Sequence, residues 1–109
     1  MNVIMLVGRV TKIDTMYDNE TPKIKITMAI TRDYKNDDGI YEVDFLPVIA
    51  SGTIAEKTKQ FVKIGDVMSV RGNIQFEKHI NEDNGYAVEK LEIIANKVSF
   101  LASAGTNIN

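Results

Sequence analysis

Tyr34, Phe45 and His79 each carry a flat ring with basic side chains nearby, a pairing with a definite chemistry. A ring offers a π-face on which a nucleobase stacks, while lysine and arginine track phosphates, so the two together bind a single strand without sequence choice. The cations fall into two groups. Lys23, Lys25, Arg32 and Lys35 follow one segment and Lys57, Lys63, Arg71 and Lys78 another, and together they could form one stripe. The plainer alternative is a solvated face, because alternation puts charge on the outside of any strand. Phe45 is equally open. With Leu46, Val48 and Ala50 inward and Phe45, Pro47 and Ile49 outward it stacks from outside, and with the period inverted it is ordinary core. A hairpin-end histidine such as His79 is commonly just solvated.

Other chemistries find less support. His79 is the only histidine and there is no cysteine, which leaves no disulfide, no thiolate metal site and few candidates for nucleophilic catalysis. Glu42 with Asp44, and Glu82 with Asp83, could be read as acid–base pairs, but charges in hairpins and on exposed strand faces are normally solvated. Gly8, Gly72 and Gly85 stand alone, so they read as bulge and turn glycines and not as a phosphate-cradling loop. No enzyme activity, cofactor or metal is expected. The net charge of −2 and the pI of about 5.3 are the opposite of a generic basic nucleic-acid binder, so any anion site must be local.

The elements that must position these side chains are legible from alternation and punctuation. From about Lys23 to Asp33, Ile24, Ile26, Met28 and Ile30 share one face and Lys23, Lys25, Thr27 and Thr31 the other. Four further strands are expected over about Asn2 to Ile13, Ile40 to Ala50, Asp66 to Lys78 and Tyr86 to Leu101. Asn36-Asp37-Asp38-Gly39 and Asn81-Glu82-Asp83-Asn84-Gly85 are turn signals that make strands two and three, and four and five, antiparallel neighbours. Between strands three and four a short helix is predicted. Thr53 and Glu56 fit a capping box, Ile54, Thr58, Phe61 and Val62 form a narrow buried stripe, and Lys63-Ile64-Gly65 supplies a cationic last turn and a left-handed stop. Five strands with one helix between the third and fourth is the wiring of an all-β, five-stranded OB-fold Greek-key barrel, a fold that binds oligonucleotides or oligosaccharides.

A hydrophobic content of 44% in 109 residues fits one core, with a single domain over 1–101 and a small, polar, frayed tail over 102–109. With no long apolar run, neither a signal peptide nor a membrane span is expected, and the location expected is cytoplasmic.

The order of motifs resembles one family. Asn2 to Val10, Thr27 to Tyr34, Val48 to Glu56, Phe61 to Val67 and Val70 to Ile74 are similar, in sequence and spacing, to the bacterial single-stranded DNA-binding protein, a family also found on phages and plasmids. The resemblance covers about residues 2–101. It implies that Tyr34, Phe45 and His79 occupy places where the family presents aromatic rings, commonly tryptophan, to stacked bases. Lys63 and Lys78 fall at or next to its phosphate-contacting positions. It also implies a homodimer or homotetramer with the first strand near the dimer interface, a place on the nucleoid, and roles in replication, recombination or repair. The departures are specific. There is no tryptophan, Ser51 stands where a phenylalanine often stacks, Leu46-Pro47 replaces a polar and basic pair, and Gln75 and Glu77 replace positions often basic. Fewer rings and cations imply weaker binding. The family's acidic C-terminal tip has no counterpart, which leaves recruitment of replication proteins in doubt. The rival reading is a primosome-accessory or protein-interaction OB module that keeps the barrel while losing rings and charge.

Overall fold

Along the second strand Ile24, Ile26 and Met28 are sealed from solvent while Lys23, Lys25 and Thr27 between them are not. A period of two buries one face of a pleated strand and leaves the other free, and here the buried face closes a barrel. The computed structural model describes residues 1–18 and 21–105. Its elements are β1 (Ile4–Asp18), β2 (Thr21–Lys35), β3 (Tyr41–Ser51), α1 (Gly52–Phe61), β4 (Val67–Ile80) and β5 (Ala87–Ala102). The strands close in the order β1-β2-β3-β5-β4, antiparallel throughout except for β3 with β5, which run parallel at Val48 opposite Ile93 and Ile49 opposite Ile94. With α1 between β3 and β4, this is the OB fold.

The core is Val10, Ile24, Ile26, Met28, Val48, Ala50, Met68, Val70 and Ala95, with Ala55 and Val62 contributed by the helix side. α1 rests against β2, β3 and β5 and buries Ala55 and Thr58, whose hydroxyl donates to the Ile54 carbonyl at 2.7 Å. Three expectations for this helix fail. The Thr53–Glu56 capping box does not form, since the helix starts at Gly52 behind Ser51 as N-cap, with no side-chain cap bond, so Thr53 already lies in the first turn. Phe61 does not join the buried stripe but is 68% exposed, because the helix ends there and Val62 takes the inward place, its N–H closing on the Thr58 carbonyl at 2.9 Å. Nor does Lys63-Ile64-Gly65 close the helix: α1 ends at Phe61 with an extended C-cap at Val62 and Lys59 as the base of its last turn, and Gly65, φ 96°, lies in the turn beyond, where its N–H donates to the Val10 carbonyl at 2.7 Å. The next residue is a joint. Buried Asp66 accepts from the Lys63 N–H at 2.8 Å and from the Ala104 N–H at 3.1 Å, which ties the start of β4 to the segment after β5.

β1 and β2 outrun their expected limits of Ile13 and Lys23, because Asp14, Thr15 and Met16 find ladder partners in Lys25, Ile24 and Lys23 even where alternation is poor. β4 likewise runs on to Ile80, paired with Ala87. These arms project. The radius of gyration is 15.5 Å, against about 13 Å for a compact domain of this length. Both predicted hairpin turns form, with Asn36 N–H donating to the Ile40 carbonyl and Asn81 N–H to the Tyr86 carbonyl, at 2.8 and 2.9 Å. No helix among the described residues is long and apolar enough to cross a membrane.

Candidate nucleic-acid interface

Phe45 settles the face. It lies opposite Ala29, 62% exposed, while Val48 and Ala50 are buried, so Phe45 takes the outward place; the alternation stops short of Ile49, which is buried as well and not outward as expected. Alternation then lines the outer surface of β3 with Tyr41, Val43, Phe45 and Pro47, all exposed. Across the ladder stand Lys35 opposite Tyr41, Lys25 opposite Ile49 and Lys23 opposite Ser51. The Lys35 ammonium sits 5.6 Å from the Tyr41 ring centroid, a cation–π contact. Tyr41 was missed in the sequence. The signal was there, since it is four residues before Phe45 in a period-two strand and so shares its face.

Tyr34 belongs to a different place. Arg32 donates from Nε and Nη2 to the two Asp44 carboxylate oxygens, both at 3.0 Å, and from Nη1 to Glu42 at 2.7 Å and to the Tyr34 hydroxyl at a long 3.5 Å. Asp44 and Phe45 are successive in β3 and point to opposite faces, so the Tyr34 hydroxyl is on the side of the hairpin away from Phe45. The Tyr34 ring is exposed. The fork has an electrostatic signature: hydrogen bonds from Arg32 hold the Asp44 carboxyl below its ordinary range, and the same bonds raise the Arg32 guanidinium.

His79 lies on the β4–β5 arm, opposite Val88, with Nε2 3.7 Å from Glu92 Oε1. Its strand neighbours Lys78 and Ile80 take the other side, in line with exposed Phe76 and with Leu91 of β5. The remaining cations are dispersed. Arg71 pairs in register with Met5 of β1 and Lys97 of β5, and with Val3, Ser69 and Ser99 they line an open cavity of about 410 Å³. Lys57 borders a smaller cleft of about 240 Å³ with Phe61, Val62, Val98 and Phe100, and Lys63 is exposed in the turn after α1. The structure thus joins Lys23, Lys25 and Lys35 to Phe45 on one face, and does not bring Arg32, Lys57, Lys63, Arg71 and Lys78 into a single stripe with them.

Among the described residues no group of three His, Asp or Glu side chains is placed to hold a metal ion. The arrangement offers rings, ammonium groups and an apolar strand face to a ligand, which is equipment for binding.

Comparison with known proteins agrees with the barrel and the motif order. A relative in Clostridium acetobutylicum, named single-stranded DNA-binding protein 1, is 33% identical over 104 residues, covering 93% of this chain and 94% of its own length. In Bacillus subtilis the single-stranded DNA-binding protein B is 33% identical over 102 residues, 92% of this chain and 89% of that one. The Streptococcus pyogenes single-stranded DNA-binding protein 1 is 28% identical over 111 residues, spanning this whole chain and 85% of its own. Since the profile of the single-strand binding protein family also matches residues 1–101, nearly the full length of the barrel, the chain belongs to that family.

Proposed function

We propose that this protein binds single-stranded DNA without sequence choice and without catalysis, as a self-associated OB domain serving replication, recombination or repair in the bacterial cytoplasm. The observation that carries the reading is the exposed outer face of β3, where Phe45 and Tyr41 stand clear of the core with Lys35 over the Tyr41 ring and Lys25 and Lys23 further along the same face, opposite Ile49 and Ser51. Exposed rings give stacking surface, and ammonium groups beside them meet phosphates. The names of the relatives point the same way.

Self-association has its own support. Met5 and Val7 stand on the outer face of β1, opposite Arg71 and Ser69 of β4, with Val3 just ahead of the strand, each about half exposed or more. Apolar rows of this kind on a sheet face mark interaction sites. One feature favours a protein-interaction module as the second reading: the β4–β5 arm exposes Phe76, Ile80 and Leu91 together on one side.

Titration of a poly-dT oligonucleotide and of a duplex of equal length, each at two salt concentrations, tests the function. Single strands should bind more tightly than duplex, with affinity falling as salt rises through release of counterions, and with a shallow slope for so few cations. Equal affinity for both forms, or no binding at low salt, overturns it; the second result would favour the protein-interaction reading.

A further inference from the structure

We propose that Arg32 is a positioning residue: gripped by Asp44 and Glu42, it holds the irregular end of β2 so that Tyr34 is presented to a nucleobase, and it makes no phosphate contact of its own. The inference rests on the single-strand reading above. β2 pairs regularly with β3 down to Thr31 opposite Val43 and resumes at Lys35 opposite Tyr41, so residues 32, 33 and 34 face Glu42 alone and cannot all be held by backbone pairing. Side chains replace the missing bonds there. Asp44 takes the guanidinium fork, Glu42 Oε2 takes Nη1, and Glu42 Oε1 accepts from Asn36 Nδ2 at 3.3 Å. Asn36 Oδ1 in turn receives the N–H groups of Asp38 and Ile40, both at 3.0 Å, so the chain of bonds runs from β3 through Arg32 into the turn. Tyr34 hangs in the middle of this network, its hydroxyl beside Nη1.

The charge count argues against a phosphate contact. One guanidinium stands among two carboxylates, Glu42 and Asp44, and all three of its nitrogens are already engaged, so a phosphate approaching Arg32 meets a locally negative surface. A planar fork on a carboxylate is a rigid arrangement that lysine cannot copy.

These facts set the two roles at odds in sign. With the full-length chain and a dT oligonucleotide, Asp44→Asn and Arg32→Lys should each weaken binding by about two- to fivefold, the factor that loss of an exposed ion pair supplies, and leave the salt slope unchanged. A phosphate-binding Arg32 gives the reverse. Asp44→Asn would then tighten binding by removing an anion, Arg32→Lys would stay near the wild type, and Arg32→Gln would lower the salt slope by about 0.7. In a Tyr34→Ala background the effect of Arg32→Lys should vanish, and its persistence at full size overturns the proposal. Should Arg32 variants fold poorly, Asp44→Asn carries the test. A readout without DNA separates this inference from the function: in the free protein the Tyr34 ring order parameter should fall in Asp44→Asn, and an unchanged value refutes the strut. A wild type that binds no oligonucleotide overturns the function, while the ring measurement still decides whether Arg32 holds Tyr34.

Discussion

Phe45 is a large apolar side chain left in solvent, and a position like that tolerates truncation. Because it is 62% exposed, Phe45→Ala should shift the folding free energy by no more than about 0.5 kcal/mol. Its binding effect should be larger, about 1 to 3 kcal/mol per stacked base, the range that alanine substitution gives in single-strand binding OB domains of this same family. Urea denaturation and dT titration of one variant check both halves, and a variant that unfolds while binding normally contradicts them. Tyr41→Ala should act in the same direction and less strongly, since its ring is partly covered by Lys35. Asp44 adds a pH dependence. Its folded carboxyl titrates below the unfolded value of about 3.9, so its contribution to stability is present above that value and is lost as the pH falls further. Below about pH 4 the wild type should therefore lose stability more steeply than Asp44→Asn, as followed by denaturation midpoints.

At the scale of elements, β4 and β5 depend on a close approach. Between Arg71 and Gly72 their register shifts, and a Cβ built on Gly72 would stand 1.9 Å from the Ile94 carbonyl oxygen. That is backbone against side chain, with no flexible atom to give way. Gly72→Ala should cost about 1 to 3 kcal/mol or more, read as a lower urea midpoint with the helix and the β2–β3 face otherwise intact. A glycine-centred strand was legible here in the sequence, but its neighbour was not, because Ile94 is brought alongside only by the hairpin register. The helix teaches the same lesson. Thr53 and Glu56 have capping spacing, yet the residue at the helix start was decided by where β3 leaves the barrel, at Ser51 and Gly52, whose φ of 62° a β-carbon would oppose.

For the whole molecule, the unpartnered face of β1 is the feature with the largest consequence. Burying apolar area drives association, and a charge placed in the middle of such a face opposes it. Met5→Glu should therefore shift the proposed assembly toward monomer in light scattering on a size-exclusion column, with the barrel's circular dichroism retained. A wild type that is monomeric at every concentration removes the assembly instead. The acidic balance of the chain belongs to this scale too. A net charge of −2 gives no long-range pull on DNA, so affinity must come from local contacts and should fade at lower salt than for a basic protein.

Strand number, barrel class and the inward residues of β2 were legible in the amino-acid order, because side-chain alternation and turn residues are local properties that each segment carries with it. The family was legible too, through motifs spaced along the whole chain. The grouping of the site was not. Whether Phe45 faced out, whether Tyr34 shared its surface, and whether Arg71 reached the lysines of β2 depended on strand register and barrel closure, which join residues far apart in sequence. Charge shows the limit most clearly: Arg32 reads as a free cation in the sequence, and only the pairing of β2 with β3 puts Glu42 and Asp44 around it.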